Sequence, residues 1–94
     1  MSSASLYLIQ SNIQQTPAIL TQLSSLWESG DQVILMGEAI LAYQHPFLQQ
    51  LSECYVLTSD LPLLPATAQH TFKPIDYAEF ADLCLQFTRC ISLK

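Results

Sequence analysis

At 94 residues and 10.5 kDa the chain has the size of one domain, because single cores run to about 100–150 residues, and residues 1–94 are read as a single α/β unit. Half of the residues are hydrophobic and only 12% are charged, against about 25% in ordinary domains, which excludes a disordered chain. Eight acidic residues against three basic ones (Lys73, Arg89, Lys94) give a net charge of −5, too few cations to neutralise a nucleic-acid backbone. A compact domain remains, with part of its charge-poor surface expected to be covered by a partner.

The elements follow in chain order. Residues 5–10 form a near-continuous apolar run, as in a strand covered on both faces. A helix is expected to start with Thr16 as N-cap and Pro17 at the first helical position. Ile19, Leu20, Leu23, Leu26 and Trp27 fall on one apolar stripe, and Gly30 stands where a left-handed C-terminal cap belongs. Residues 32–36 form the second strand, which Gly37 and Glu38 end. His45-Pro46 divides residues 39–53, since a residue before proline avoids the helical region. A short helical turn therefore runs to Tyr43 and a second helix opens at Pro46, with Phe47, Leu48 and Leu51 inward.

Residues 54–58 form the third strand. Pro62 and Pro65 mark a loop holding one helical turn that Asp60 begins. The last strand is expected over residues 71–75, with Pro74 placing it at an edge or a strand end. Asp76-Tyr-Ala-Glu79 has the spacing of a capping box. Phe80, Leu83, Cys84, Phe87 and Ile91 continue the buried stripe of a final helix.

Short apolar runs alternating with helical periods imply α/β architecture. The expected fold is a small doubly wound, mainly parallel sheet of four or five strands, with helices on both faces in a flavodoxin-like three-layer arrangement. Such sheets bind ligands beyond the C-terminal strand ends. That rim is built from residues 10–12, 36–38 and 58–60, and its candidate site residues are Gln10, Asn12, Gly37, Glu38 and Asp60. Glu38 is either a site residue or a cap for the helical turn that follows it.

Few residues carry readable chemistry. Ser11 and Asn12 have no histidine within motif reach, and two glycines cannot build a phosphate-binding loop. His45 and His70 lack further ligands at metal spacing and are read as surface or capping residues; no metal and no cofactor is expected. Three cysteines with no C-x-x-C pair argue for a reducing compartment, hence the cytoplasm. The first residues show no signal peptide, and no apolar run approaches a membrane span. A relay thiol needs exposure and a stabilised thiolate. Cys54 opens a buried strand, Cys84 lies on an apolar stripe, and Cys90 stands by a helix C-terminus, where the dipole disfavours a thiolate. All three are read as small hydrophobes, with Cys90 the weak candidate for a reactive thiol.

The string Pro74-Ile75-Asp76-Tyr77 followed by Phe80 and Leu83 resembles the ending of the TusB/DsrH family of sulfur-relay proteins. Gly30-Asp31 before an apolar strand and Leu57-x-x-Asp60-Leu61 after the third strand fit the same pattern. The resemblance covers essentially the whole chain. It implies a DsrEFH-like fold and a TusB-like subunit that is itself no enzyme. Such a subunit assembles with TusC-like and TusD-like (DsrF/DsrE-like) partners as a dimer of heterotrimers, and that complex passes persulfide sulfur towards thiolation of the tRNA wobble uridine. In the family the sulfur-carrying cysteine belongs to the TusD-like or DsrE-like partner. Some DsrH-type members carry a further cysteine in the first helix, and this chain has none there. The alternatives are a persulfide-carrying subunit of a DsrEFH-type sulfur-oxidation complex and a small-ligand-binding α/β module. Whether the isolated chain pairs with itself stays open.

Overall fold

Five strands form one sheet in the order β4-β3-β2-β1-β5, every pair parallel. They are β1 (Ser5–Ile9), β2 (Gln32–Leu35), β3 (Tyr55–Leu57), β4 (Lys73–Ile75) and β5 (Arg89–Leu93). The helices are α1 (Thr16–Leu26), α2 (Pro46–Gln50), α3 (Ala66–Gln69) and α4 (Tyr77–Leu85), with 3₁₀ segments at Gly37–Ala42 and Thr58–Leu63. This computed structural model describes residues 4–69 and 71–93. The readings made for His70, Lys94 and the first three residues lie outside them.

The strand order dictates the layers. From β1 through β4 the chain steps three times in one direction, and right-handed crossovers put those connections on one face. The step from β4 back to β5 runs the other way and carries α4 to the opposite face. Two cores result. Tyr7, Ile9, Val33, Leu35 and Val56 meet Leu20 and Leu23 of α1, Ile40, Phe47, Leu48, Leu64 and Phe72. On the other face Leu6, Ile34, Met36, Leu57 and Ile75 meet Leu83, the one buried residue of α4. Leu8, Tyr55, Phe80, Cys84 and Phe87 pack around that smaller core while half exposed, because a nine-residue helix cannot span five strands.

Several expected boundaries move. Thr16 is the first residue of α1, not its cap: Gln15 already has helical dihedrals and caps with no side chain. Asn12 does the capping instead, a turn earlier, its Oδ1 accepting from the Gln15 N–H at 2.9 Å and its carbonyl from the Thr16 N–H at 3.0 Å. The buried Thr16 hydroxyl donates to the Asn12 carbonyl at 2.6 Å and sits 2.7 Å from Ser11 Oγ. The helix stops at Leu26, short of Gly30, because Trp27 swings into extended backbone. Its ring meets Tyr7 and Phe47 at centroid distances of 6.0 and 5.2 Å. Gly30 instead takes its positive φ of 93° in the turn before β2, where the Asp31 N–H donates to the Glu28 carbonyl.

The division at His45-Pro46 stands as read. Beyond β3, the 3₁₀ segment and α3 hold two helical pieces where one turn was expected. Pro74 lies on the edge strand β4, opposite Val56. Asp76 and Glu79 form the full capping box of α4. The larger correction is β5. The stripe continued through Phe87 and Ile91 belongs to no helix, because α4 ends at Leu85 and residues 89–93 pair along β1. Helical spacing and strand alternation both fit that segment, and the open second edge of β1 decides between them.

Candidate functional site

The C-terminal strand ends bring the loops after β1, β2 and β3 together, and with them the five rim residues. Their polar groups are engaged within the chain. The Ile13 N–H donates to Glu38 Oε1 at 3.2 Å, and the Gly37 N–H donates to Asp60 Oδ2 at 2.8 Å. Glu38 thus reaches across to the β1 loop and does not cap its own turn. Gln10 donates its backbone N–H to the Leu93 carbonyl and its amide to Met36 Sδ at 3.9 Å, and Asn12 is engaged at the start of α1. Carboxylates occupy the loop N–H groups that a phosphate would use in a sheet of this type, and their charge repels an anion.

The string resembling a family ending is built into the fold at the same end of the sheet. Ile75 is buried at the end of β4, Asp76 caps α4, Phe80 is half buried and Leu83 lies in the core. Tyr77 alone is left out, 67% exposed, against a shallow apolar hollow shared with Leu57, Thr58, Ser59, Ile75 and Asp76.

All three thiols lie at the opposite end. Cys54 is buried just before β3, and burial pushes its thiol up to about 12. Cys84 is half buried near the end of α4, which runs back towards the strand starts. Burial first, and the adjacent Cys90 second, hold its thiol above the ordinary value. Cys90, the second residue of β5, is exposed, and its thiol donates to the Cys84 carbonyl at 3.6 Å. This approach of Cys84 and Cys90 was hidden by reading one helix through both; the alternation of residues 89–93 was its signal.

His45 serves the fold. Its Nδ1 accepts from the Phe47 N–H at 3.1 Å as the N-cap of α2, and Nε2 meets Thr21 Oγ1 of α1 at 3.1 Å. Among the described residues no three His, Cys, Asp or Glu side chains gather at a metal-binding distance. Lys73 and Arg89 stand on the two opposite edge strands, so they form no common basic patch. No helix among the described residues is long and apolar enough to cross a membrane.

The family model for DsrH-like proteins matches residues 10–90, which takes in the rim loops, the string at 75–83 and the Cys84–Cys90 approach. The chain belongs to the DsrH-like family. This is a sulfur-relay family, whose members usually work in complexes with DsrE-like and DsrF-like partners. No curated protein and no solved structure matches the chain. In this DsrH-like chain α1 contains no cysteine, and the strand-end rim contains none either.

Proposed function

We propose that this DsrH-like chain is a non-catalytic subunit of a TusBCD-like sulfur-relay complex that supports thiolation of the tRNA wobble uridine. The observation that carries this reading is the placement of the thiols. A relay cysteine needs an accessible, stabilised thiolate, yet Cys54 is buried with its thiol pushed up to about 12, Cys84 is raised by burial, and α1 offers no cysteine. The persulfide then resides on a TusD-like partner, and this chain contributes surface. That surface is the α4 side of the sheet, where one helix leaves Tyr77 and Leu85 67% and 85% exposed and aromatic and aliphatic side chains half covered. Interface cores favour such residues over charged ones.

Co-expression with the TusC-like and TusD-like proteins of the same organism, followed by native mass spectrometry, tests the reading. The expected result is one assembly with equal copies of the three chains. A chain that stays alone, or pairs only with itself, overturns it.

The exposure of Cys90 favours one second reading, a persulfide-carrying subunit of a DsrEFH-type complex. In that case persulfide from a cysteine desulfurase accumulates on Cys90 of the native chain, and Cys90→Ser abolishes sulfur transfer by the assembled complex. Under the subunit reading Cys90→Ser leaves transfer unchanged.

A further inference from the structure

Cys84 and Cys90 approach each other through both topology and register. Cys90 stands opposite Leu6 in the β1–β5 pairing. Neighbours in register on parallel strands point to the same side, and Leu6 packs on the α4 side. Cys84 belongs to that same small core. The chain needs only Gln86, Phe87 and Thr88 to turn from the end of α4 into β5, so the two thiols meet in the angle between helix and strand. Cys90 Sγ lies 3.6 Å from the Cys84 carbonyl, and Cys90 is close enough to help hold the Cys84 thiol above its ordinary value.

We propose that Cys84 and Cys90 are a redox modification site, a dithiol that closes reversibly into a disulfide and ties the C-terminal end of α4 to the edge strand β5. The exposure of Cys90 makes it the first to react. Its thiolate attacks one sulfur of a small disulfide such as oxidised glutathione, forming a mixed disulfide and expelling one glutathione thiolate. The Cys84 thiol then gives its proton to solvent and attacks Cys90 Sγ, expelling the second glutathione. Two protein thiols are oxidised, the glutathione disulfide is reduced to two thiols, and excess dithiothreitol reverses the exchange. The site stands on the geometry of the chain itself and is independent of its place in a sulfur-relay complex.

The full-length chain, reduced and freed of reductant, is incubated with oxidised glutathione. Free thiols are expected to fall from three per chain to one, with a mass loss of two hydrogens and a monomer on non-reducing gels. Trypsin supplies the connectivity, because Lys73 precedes a proline and cleavage falls after Arg89, between the two cysteines. The peptide of residues 90–94 stays attached to the oxidised chain and is released by dithiothreitol; in Cys84→Ser it is released without reductant. A stable glutathione adduct, a disulfide-linked dimer, three thiols left free, or a peptide still retained in Cys84→Ser would each overturn the proposal. The first three are read on the unmodified chain, so they stand even if Cys84→Ser does not fold.

Discussion

Asp60 accepts the Gly37 backbone N–H at 2.8 Å, tying the segment after β3 to the loop after β2. Gly37 has a φ of 60°, in the left-handed region that side chains disfavour, and its N–H points along the rim to the carboxylate. Asp60→Ala removes a charge-assisted bond at an exposed position, where water partly replaces it. The expected loss is about 1 kcal/mol, read as a lower urea midpoint at unchanged slope. Gly37→Ala should cost about as much through backbone strain alone. The two effects should fall short of additivity in the double variant, because both act on one contact.

A rim closed by its own carboxylates should have little use for an anion. Inorganic phosphate and nucleotides at millimolar concentration are expected to leave the melting temperature of the chain unchanged, as followed by Trp27 fluorescence. A ligand that binds only the native state would raise it. A concentration-dependent rise would restore the small-ligand module as a reading, and Glu38→Gln together with Asp60→Asn should then enlarge it.

What was legible in the sequence follows from where the physics is local. Asp76 and Glu79 declare a capping box within four residues, and the proline of His45-Pro46 pushes His45 out of the helical region, so both stand in the structure as read. The stripe through Leu20 and Leu23 likewise fixes the buried side of α1. Residues 89–93 depend on something distant, the unoccupied edge of β1, and their apolar spacing suits a helix equally well. Thr16 failed as a cap for a related reason: its hydroxyl has buried partners in Ser11 and Asn12 that composition does not announce. The rim residues were located by strand ends alone, and the bonds of Glu38 to Ile13 and of Asp60 to Gly37 depend on side-chain reach between loops.

Burial of Cys54 carries a pH signature. Its thiol titrates at about 12 in the folded chain against an ordinary 9.0, so between those values the unfolded chain has lost a proton that the native chain keeps. Stability from this group is complete below about pH 9 and falls as pH rises towards 12, by up to about 1.4 kcal/mol per pH unit. Cys54→Ala should flatten the alkaline limb of a plot of unfolding free energy against pH relative to the unmodified chain. Near neutrality the same burial should leave Cys54 unlabelled by iodoacetamide under conditions in which Cys90 reacts. Rapid native labelling of Cys54 would contradict the packing around β3.

Asp31 joins the start of β1 to the turn after α1. Its carboxylate accepts the Ser5 N–H at 2.8 Å and the Glu28 N–H at 2.9 Å, and the residue is buried. Asp31→Ala leaves the Ser5 donor at the start of β1 and the Glu28 donor in the turn after α1 without this partner, and each unsatisfied buried group costs about 1–3 kcal/mol. The expected destabilisation is about 3 kcal/mol, with the N-terminal strand losing amide-exchange protection first. Asp31→Asn, which keeps an acceptor oxygen, should lose less.

Leu85 separates folding from assembly. It closes α4 with 85% of its surface exposed, so Leu85→Asp removes almost no buried contact from the isolated chain, and its unfolding free energy should stay within about 0.5 kcal/mol of the unmodified value. A partner seated on the α4 side would instead meet a carboxylate in an apolar contact, at a cost in desolvation. Co-expressed with TusC-like and TusD-like partners, Leu85→Asp is expected to drop out of the assembly while still melting as a folded chain. Leu26→Asp is the matched control, since Leu26 is 54% exposed on α1, on the other face. If both variants assemble normally, the docking surface lies elsewhere; if Leu26→Asp alone fails, it lies on the α1 side of the sheet.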